Sequence, residues 1–128
     1  MKRNALLVVA LWLLSAPALA SAQHVLVPMD RSQSNHLKAY GLTYWTLQQG
    51  STAEWLLNYR GGSFLLAATP EVQRKAALMG VKTEPMPDAE LARVRATIAE
   101  SNMEAVVLEK APKVAIYTPR TARPGTTP

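Results

Sequence analysis

Apolar and polar positions alternate along this chain in a way that separates a leader from a folded segment. From Gln23 onward the first apolar run is His24-Val-Leu-Val-Pro28, short, rich in valine and stopped by proline, which predicts a strand followed by a loop at Met29-Asp30-Arg31-Ser32. Leu37, Tyr40, Tyr44 and Leu47 then recur at steps of three, four and three, predicting a helix with those four residues on its inward face and Gly50 as its stop. Ala53 to Arg60 and Ser63 to Ala68 flank Gly61-Gly62, a pattern that predicts two antiparallel strands joined by a tight two-glycine turn. Thr69 as cap, Pro70 in the first turn and Gly80 at the end bound a second helix whose apolar face includes Val72, Ala76 and Met79.

Val81 to Pro85 reads as another short strand, and Asp88 as the cap of a third helix reaching about Glu100 with Leu91, Val94 and Ile98 inward. The valine pair in Met103 to Leu108 favours a strand. Glu109 to Lys113 is a polar connector, and Val114-Ala-Ile-Tyr-Thr118 has the composition of a buried strand. That strand either opens a new βα unit or completes the first sheet. The following Pro119 to Pro128 holds three prolines, one glycine and no aliphatic side chain larger than alanine, so it cannot supply a covering helix. The expectation is therefore that the sequence stops early in a second domain.

The N-terminal residues follow a different logic. Lys2 and Arg3 precede an apolar run from Ala5 to Leu14, followed by Pro17 and the small residues Ala18, Ala20 and Ala22. A cationic start, a short apolar core and small residues at peptidase spacing predict a cleavable secretory signal over residues 1–22, cut after Ala20 or between Ala22 and Gln23. The core is too short for a comfortable bilayer span, so no stable membrane anchor is expected after cleavage. The predicted location is periplasmic or secreted.

The predicted architecture is thus α/β: a small mixed sheet with one β-hairpin and about three helices, preceded by a signal peptide. It divides into residues 1–22 as signal, 23–109 as a small α/β domain, and 110–128 as linker, the first strand of a following domain and a tail.

Composition narrows the chemistry. Without Lys2 and Arg3 the formal charge falls from +5 to +3, and the remaining cations are scattered, so no nucleic-acid partner is expected. There is no cysteine, which removes disulfides, thiol catalysis and thiolate-held metal. The two histidines, His24 and His36, have no carboxylate at a spacing suited to a helix-borne metal site, so neither a metal nor a cofactor is expected. Ser63, His36 and Asp30 could form a catalytic triad in space, but the sequence has no Gly-x-Ser-x-Gly turn to present a nucleophile.

Two polar clusters are the candidate ligand-contacting residues. Asp30, Arg31, Ser32, Asn35 and His36 follow the first strand and lead into a helix, where backbone N–H groups are free to attract an anion. Tyr59, Arg60, Gly61, Gly62 and Ser63 place a guanidinium, exposed amides and a hydroxyl at a hairpin tip. The alternative is structural: Asp30 and Ser32 cap, and the glycines turn the hairpin. Trp45, Trp55, Tyr40, Tyr44 and Phe64 suit a core or an inter-domain contact.

Several stretches carry a family resemblance: His24 to Asp30, Asn35 to Gly41 with Tyr44-Trp45, the uninterrupted Trp55-Leu-Leu-Asn-Tyr-Arg-Gly-Gly-Ser-Phe-Leu65, and Leu108 to Pro119. From about His24 to Pro119 the sequence resembles the N-terminal portion of longer exported bacterial proteins commonly labelled asparagine synthetase B; the match fails after about Pro124. The resemblance implies a larger, amidotransferase-like α/β domain beyond this segment, a missing C-terminal domain or another protein as partner, and no catalytic role for this portion itself. Glutamine-hydrolysing synthetases use an N-terminal cysteine and a Ser-Gly-Gly-x-Asp-Ser loop for ATP, neither of which is in this sequence. The readings that remain are a non-catalytic module of an exported protein, an amidotransferase-like or hydrolytic enzyme with its active site in the C-terminal part, and a small module binding an anionic or amide ligand through Arg60 and the Asp30 to His36 loop.

Overall fold

The computed structural model describes residues 22–116; the signal sequence, save Ala22, and the segment from Tyr117 onward lie outside the described residues. Eight elements follow one another: β1 (His24–Val27), α1 (His36–Gln48), β2 (Ala53–Leu57), β3 (Ser63–Ala67), α2 (Pro70–Met79), β4 (Glu84–Met86), α3 (Asp88–Glu100) and β5 (Glu104–Leu108). The strands form one sheet in the order β4-β1-β3-β2-β5. All neighbouring pairs are antiparallel, and β1 and β2 run parallel to each other with β3 between them. The first six elements therefore make a split βαβ arrangement of the ferredoxin-like kind, with β5 added at the β2 edge and α3 packed on the opposite face of the sheet.

Covered faces explain the composition of the central strands. Val25 and Val27 of β1 and Phe64 and Leu66 of β3 pack with Ala39, Leu42, Leu47, Val72 and Ala76 of α1 and α2. Leu26 and Leu65 turn the other way, toward Val94 and Ile98 of α3. A strand buried on both sides cannot alternate apolar with polar, so β1 and β3 read as continuous apolar runs. The edge strand β5, with only partial cover, keeps exposed positions.

α2 has the predicted ends: the Thr69 hydroxyl accepts from the Val72 N–H, Pro70 occupies the first turn, and Gly80 closes the helix at φ +67°. α3 differs at its start, since Pro87 holds the cap position without a side-chain bond and Asp88 is the first helical residue.

Three further expectations are corrected. The inward face of α1 is Ala39, Leu42, Thr43, Thr46 and Leu47, while Leu37 is 82% exposed and Tyr40 is half exposed. Two threonines are accepted in the core because each hydroxyl donates to the carbonyl four residues back, Thr43 to Ala39 and Thr46 to Leu42. The β2–β3 connection is a five-residue loop, Asn58 to Gly62, not a two-glycine turn; Asn58 and Arg60 join both glycines at positive φ. Finally, Val114 to Ile116 forms no strand and is exposed; Tyr117 and Thr118 of that predicted strand lie outside the described residues. Among the described residues no helix is long and apolar enough to cross a membrane.

The corrected helix face is testable by paired truncations. Leu42→Ala, at a fully buried site, is expected to cost about 2–5 kcal/mol in urea unfolding, and Leu37→Ala less than about 0.5 kcal/mol.

Candidate functional site

At the end of the sheet where β1 and β2 finish, the fold brings the two predicted polar clusters together. Arg60 is held at φ +46°, a conformation that a non-glycine residue adopts only when its surroundings impose it. Its carbonyl accepts from the Met29 N–H at 3.1 Å, which seats the loop on the end of β1. From there the guanidinium reaches across β1: Nε donates to Asp30 Oδ2 at 2.7 Å, Nη1 and Nη2 both donate to the Glu84 carboxylate of β4, and Nη2 also meets Ser32 Oγ at 3.3 Å. Lys82 Nζ adds a contact to Glu84 at 3.2 Å. Two cations face two anions, so the cluster is electrically balanced.

The bidentate geometry with Glu84 is the strong form of an arginine–carboxylate pair. Roughly a third of each partner's side chain remains accessible, at 30% for Arg60, 33% for Asp30 and 32% for Glu84, so water and salt weaken the network without abolishing it. Hydrogen bonds from Ser32 and from the Arg60 guanidinium hold the Asp30 carboxyl well below the usual carboxylate range, the Ser32 N–H bonding Oδ1 at 2.9 Å. Arg60, with help from Lys82, lowers Glu84 likewise, and the two carboxylates raise Arg60 in return.

The remaining candidates serve the same junction. His36 Nε2 lies 3.0 Å from Met29 O and 3.1 Å from Asp30 O; carbonyl oxygens only accept, so this nitrogen carries the proton and ties α1 to the end of β1. The Asn35 side chain caps α1 by accepting from Lys38 N at 3.0 Å. Gly61 is fixed by close approach: a Cβ there would lie 2.5 Å from Met29 O. The Gly62 carbonyl accepts from Trp55 Nε1 at 3.0 Å. Ser63 is fully buried with its hydroxyl donating to Tyr59 O at 2.7 Å, and Tyr59 packs against the α3-side core. Arg31 is exposed and makes no ion pair among the described residues. Ser63, His36 and Asp30 thus each bond to a different partner, and no Ser-His-Asp relay is formed.

Sequence reasoning missed Glu84 and Gln33. Glu84 sat inside a strand with nothing local to mark it. Buried Gln33 donates to Pro28 O and Lys82 O and accepts from Lys82 N, all at 3.1 Å, fastening the β1 loop to the lead-in of β4. The Arg60–Glu84 and Gln33–Lys82 contacts span 24 and 49 residues, which no local pattern reveals. Among the described residues no group of three or more His, Cys, Asp or Glu side chains could hold a metal ion.

A second feature lies on the α1 side of the sheet, toward β5. Tyr40, Tyr44 and Leu47 of α1, Trp55 of β2, Phe64 of β3 and Leu108 of β5 line an open groove of about 450 Å³, together with Lys110 and Pro112 of the connector. Phe64 is stacked on Trp55 at 6.0 Å between ring centroids and met edge-on by Tyr40 at 5.5 Å. The size of the groove falls within the range of small-molecule sites. Comparison with family models, with curated proteins and with solved structures finds no match to this chain.

The polar junction makes its own pH dependence. Because Asp30 and Glu84 are held below their ordinary values, their stabilising contribution is complete above about pH 5 and is lost as pH falls through and below about 4. Urea midpoints measured from pH 7 to 2 should fall more shallowly in Arg60→Met than in the parent. Gly61→Ala should lower stability by at least about 2 kcal/mol at pH 7, since the added carbon must displace the Met29–Asp30 peptide and hold a positive φ.

Proposed function

We propose that this chain is an exported, non-catalytic module of the longer α/β proteins labelled asparagine synthetase B, and that it works by docking against the domain that follows it in such proteins. The aromatic groove carries this reading. Lys110 and Pro112, residues of the connector itself, help to line it, so a domain continuing from that connector would lie beside the groove. Immediately beyond, Val114 is 74% and Ile116 86% exposed, apolar side chains that a neighbouring apolar surface would cover.

The polar junction supports the same reading from the other side. Arg60, the best candidate for holding an anion, already has Nε, Nη1 and Nη2 engaged by Asp30, Glu84 and Ser32. An incoming carboxylate or phosphate would have to displace two resident carboxylates. On this reading, any amidotransferase-like or hydrolytic chemistry belongs to the companion domain, and export is directed by residues 1–22.

Two measurements test the proposal. Expressed with its leader in a bacterial host, the chain should appear outside the cytoplasm with a new N-terminus at Ser21 or Gln23; retention of Met1 on an exported, membrane-held product would contradict the signal assignment. Companion α/β domain from a relative, added in trans to residues 23–128, should shift the tryptophan emission and bind in the micromolar range, and Tyr40→Glu should weaken it at least tenfold. No binding at about 100 µM would contradict the docking assignment.

A further inference from the structure

β5 is an edge strand with one side paired to β2 and the other side open: among the described residues, no backbone group takes up its outer N–H and C=O groups. An open edge of this kind is usually blunted by proline, by a bulge or by an inward charge. Glu104-Ala-Val-Val-Leu108 has no proline or bulge, its one charge stands at the first position, and Val107 is 59% exposed. We propose that this edge pairs with β5 of a second copy of the chain, antiparallel about a two-fold axis at Val107, joining the two sheets into one ten-stranded sheet.

Charge complementarity selects both the occupant and the register. Glu104 and Lys110 are exposed, and neither makes an ion pair among the described residues. β5 ends at Leu108 and the chain bends at Lys110, so the two charges do not meet within one chain; a partner strand pairing along this edge would draw Glu109 and Lys110 into the extended ladder. In an antiparallel self-pair centred on Val107, Glu104 of one copy stands directly opposite Lys110 of the other, twice by symmetry. Val106 then stands opposite Leu108, and Val107 opposite its own copy. Every cross-strand pair is either opposite in charge or apolar, apart from Ala105 opposite Glu109.

The neighbouring register, centred on Val106, sets Glu104 against Leu108 and leaves Lys110 opposite Asn102, so it forfeits both ion pairs. The side chains of Glu104, Val106 and Leu108 lie on the α1 face, as their pairing with Leu57, Trp55 and Ala53 requires. Ala105 and Val107 lie on the α3 face beside the Glu54–Arg95 ion pair, whose two hydrogen bonds measure 2.8 and 3.0 Å. Such an isologous contact closes on itself, which protects the edge from open-ended addition. Leu108 and Lys110 also line the aromatic groove, whereas Glu104 and Val107 do not, so Val107→Arg tests this pairing apart from the companion domain.

The test is the mass of residues 23–128, which keep every described element, by sedimentation equilibrium at low salt. A reversible dimer with a dissociation constant between about 1 and 100 µM is expected for a contact of this size. Val107→Arg, which sets two cations face to face at the axis, should leave a monomer at about 100 µM with an unchanged thermal transition. Glu104→Lys and Lys110→Glu alone should each weaken the dimer about tenfold, and the double variant should recover it to within about threefold. A monomeric parent at 100 µM overturns the proposal, as does a dimer indifferent to Val107→Arg. Single charge reversals that the double variant fails to rescue overturn the register.

Discussion

The polar end of this molecule depends on one guanidinium. Arg60 leaves the β2–β3 loop, crosses the end of β1 and closes on Glu84 of β4, engaging Asp30 and Ser32 on the way. Its backbone carbonyl holds the Met29 N–H while its side chain holds the residue after Met29. Without it, three connections that have no secondary structure of their own would rest only on Gln33, His36 and the close seat of Gly61. The positive φ of Arg60 is a local cost that this arrangement offsets, because only that backbone geometry lets one residue fasten the loop with both its carbonyl and its side chain. A residue that looks on paper like a hook for an anion is thereby occupied within the fold.

The contrast with the other side is what the proposed function rests on. Where α1 fails to cover the sheet toward β5, four aromatic side chains remain around an open groove, next to the connector that leads the chain away. Satisfied charges at one end and accessible apolar surface at another are what the proposed docking role requires. Apolar area left accessible near a chain exit is a cost in isolation and a gain once something covers it.

Much of the fold was legible because its signals are local. The ends of α2 follow from Thr69, Pro70 and Gly80, each acting within one turn, and the inward residues Val94 and Ile98 of α3 follow from their spacing. The face of α1 was misread because hydrophobicity ranks Leu37 and Tyr40 above Thr43 and Thr46. Burial here was decided by a hydroxyl satisfied inside its own helix, which hydropathy does not register. Gly61-Gly62 marked a turn correctly in place but not in length, since Asn58 and Arg60 take positive φ for tertiary reasons. Both polar clusters of the candidate site could be seen separately; their union could not, because the residue that completes it, Glu84, is 24 positions from Arg60 and belongs to a strand whose pairing only the fold establishes.

The most direct test of the central claim is a double-mutant cycle on Arg60 and Glu84, combining Arg60→Met with Glu84→Gln and measuring unfolding free energy in urea at pH 7. If Arg60 is the fastener of this junction, the two changes are non-additive, with a favourable coupling of about 1 kcal/mol at low salt that shrinks in 1 M sodium chloride. Additive losses at both salt concentrations, together with phosphate stabilising the parent but not Arg60→Met, would contradict the account and return Arg60 to the role of an anion-binding residue.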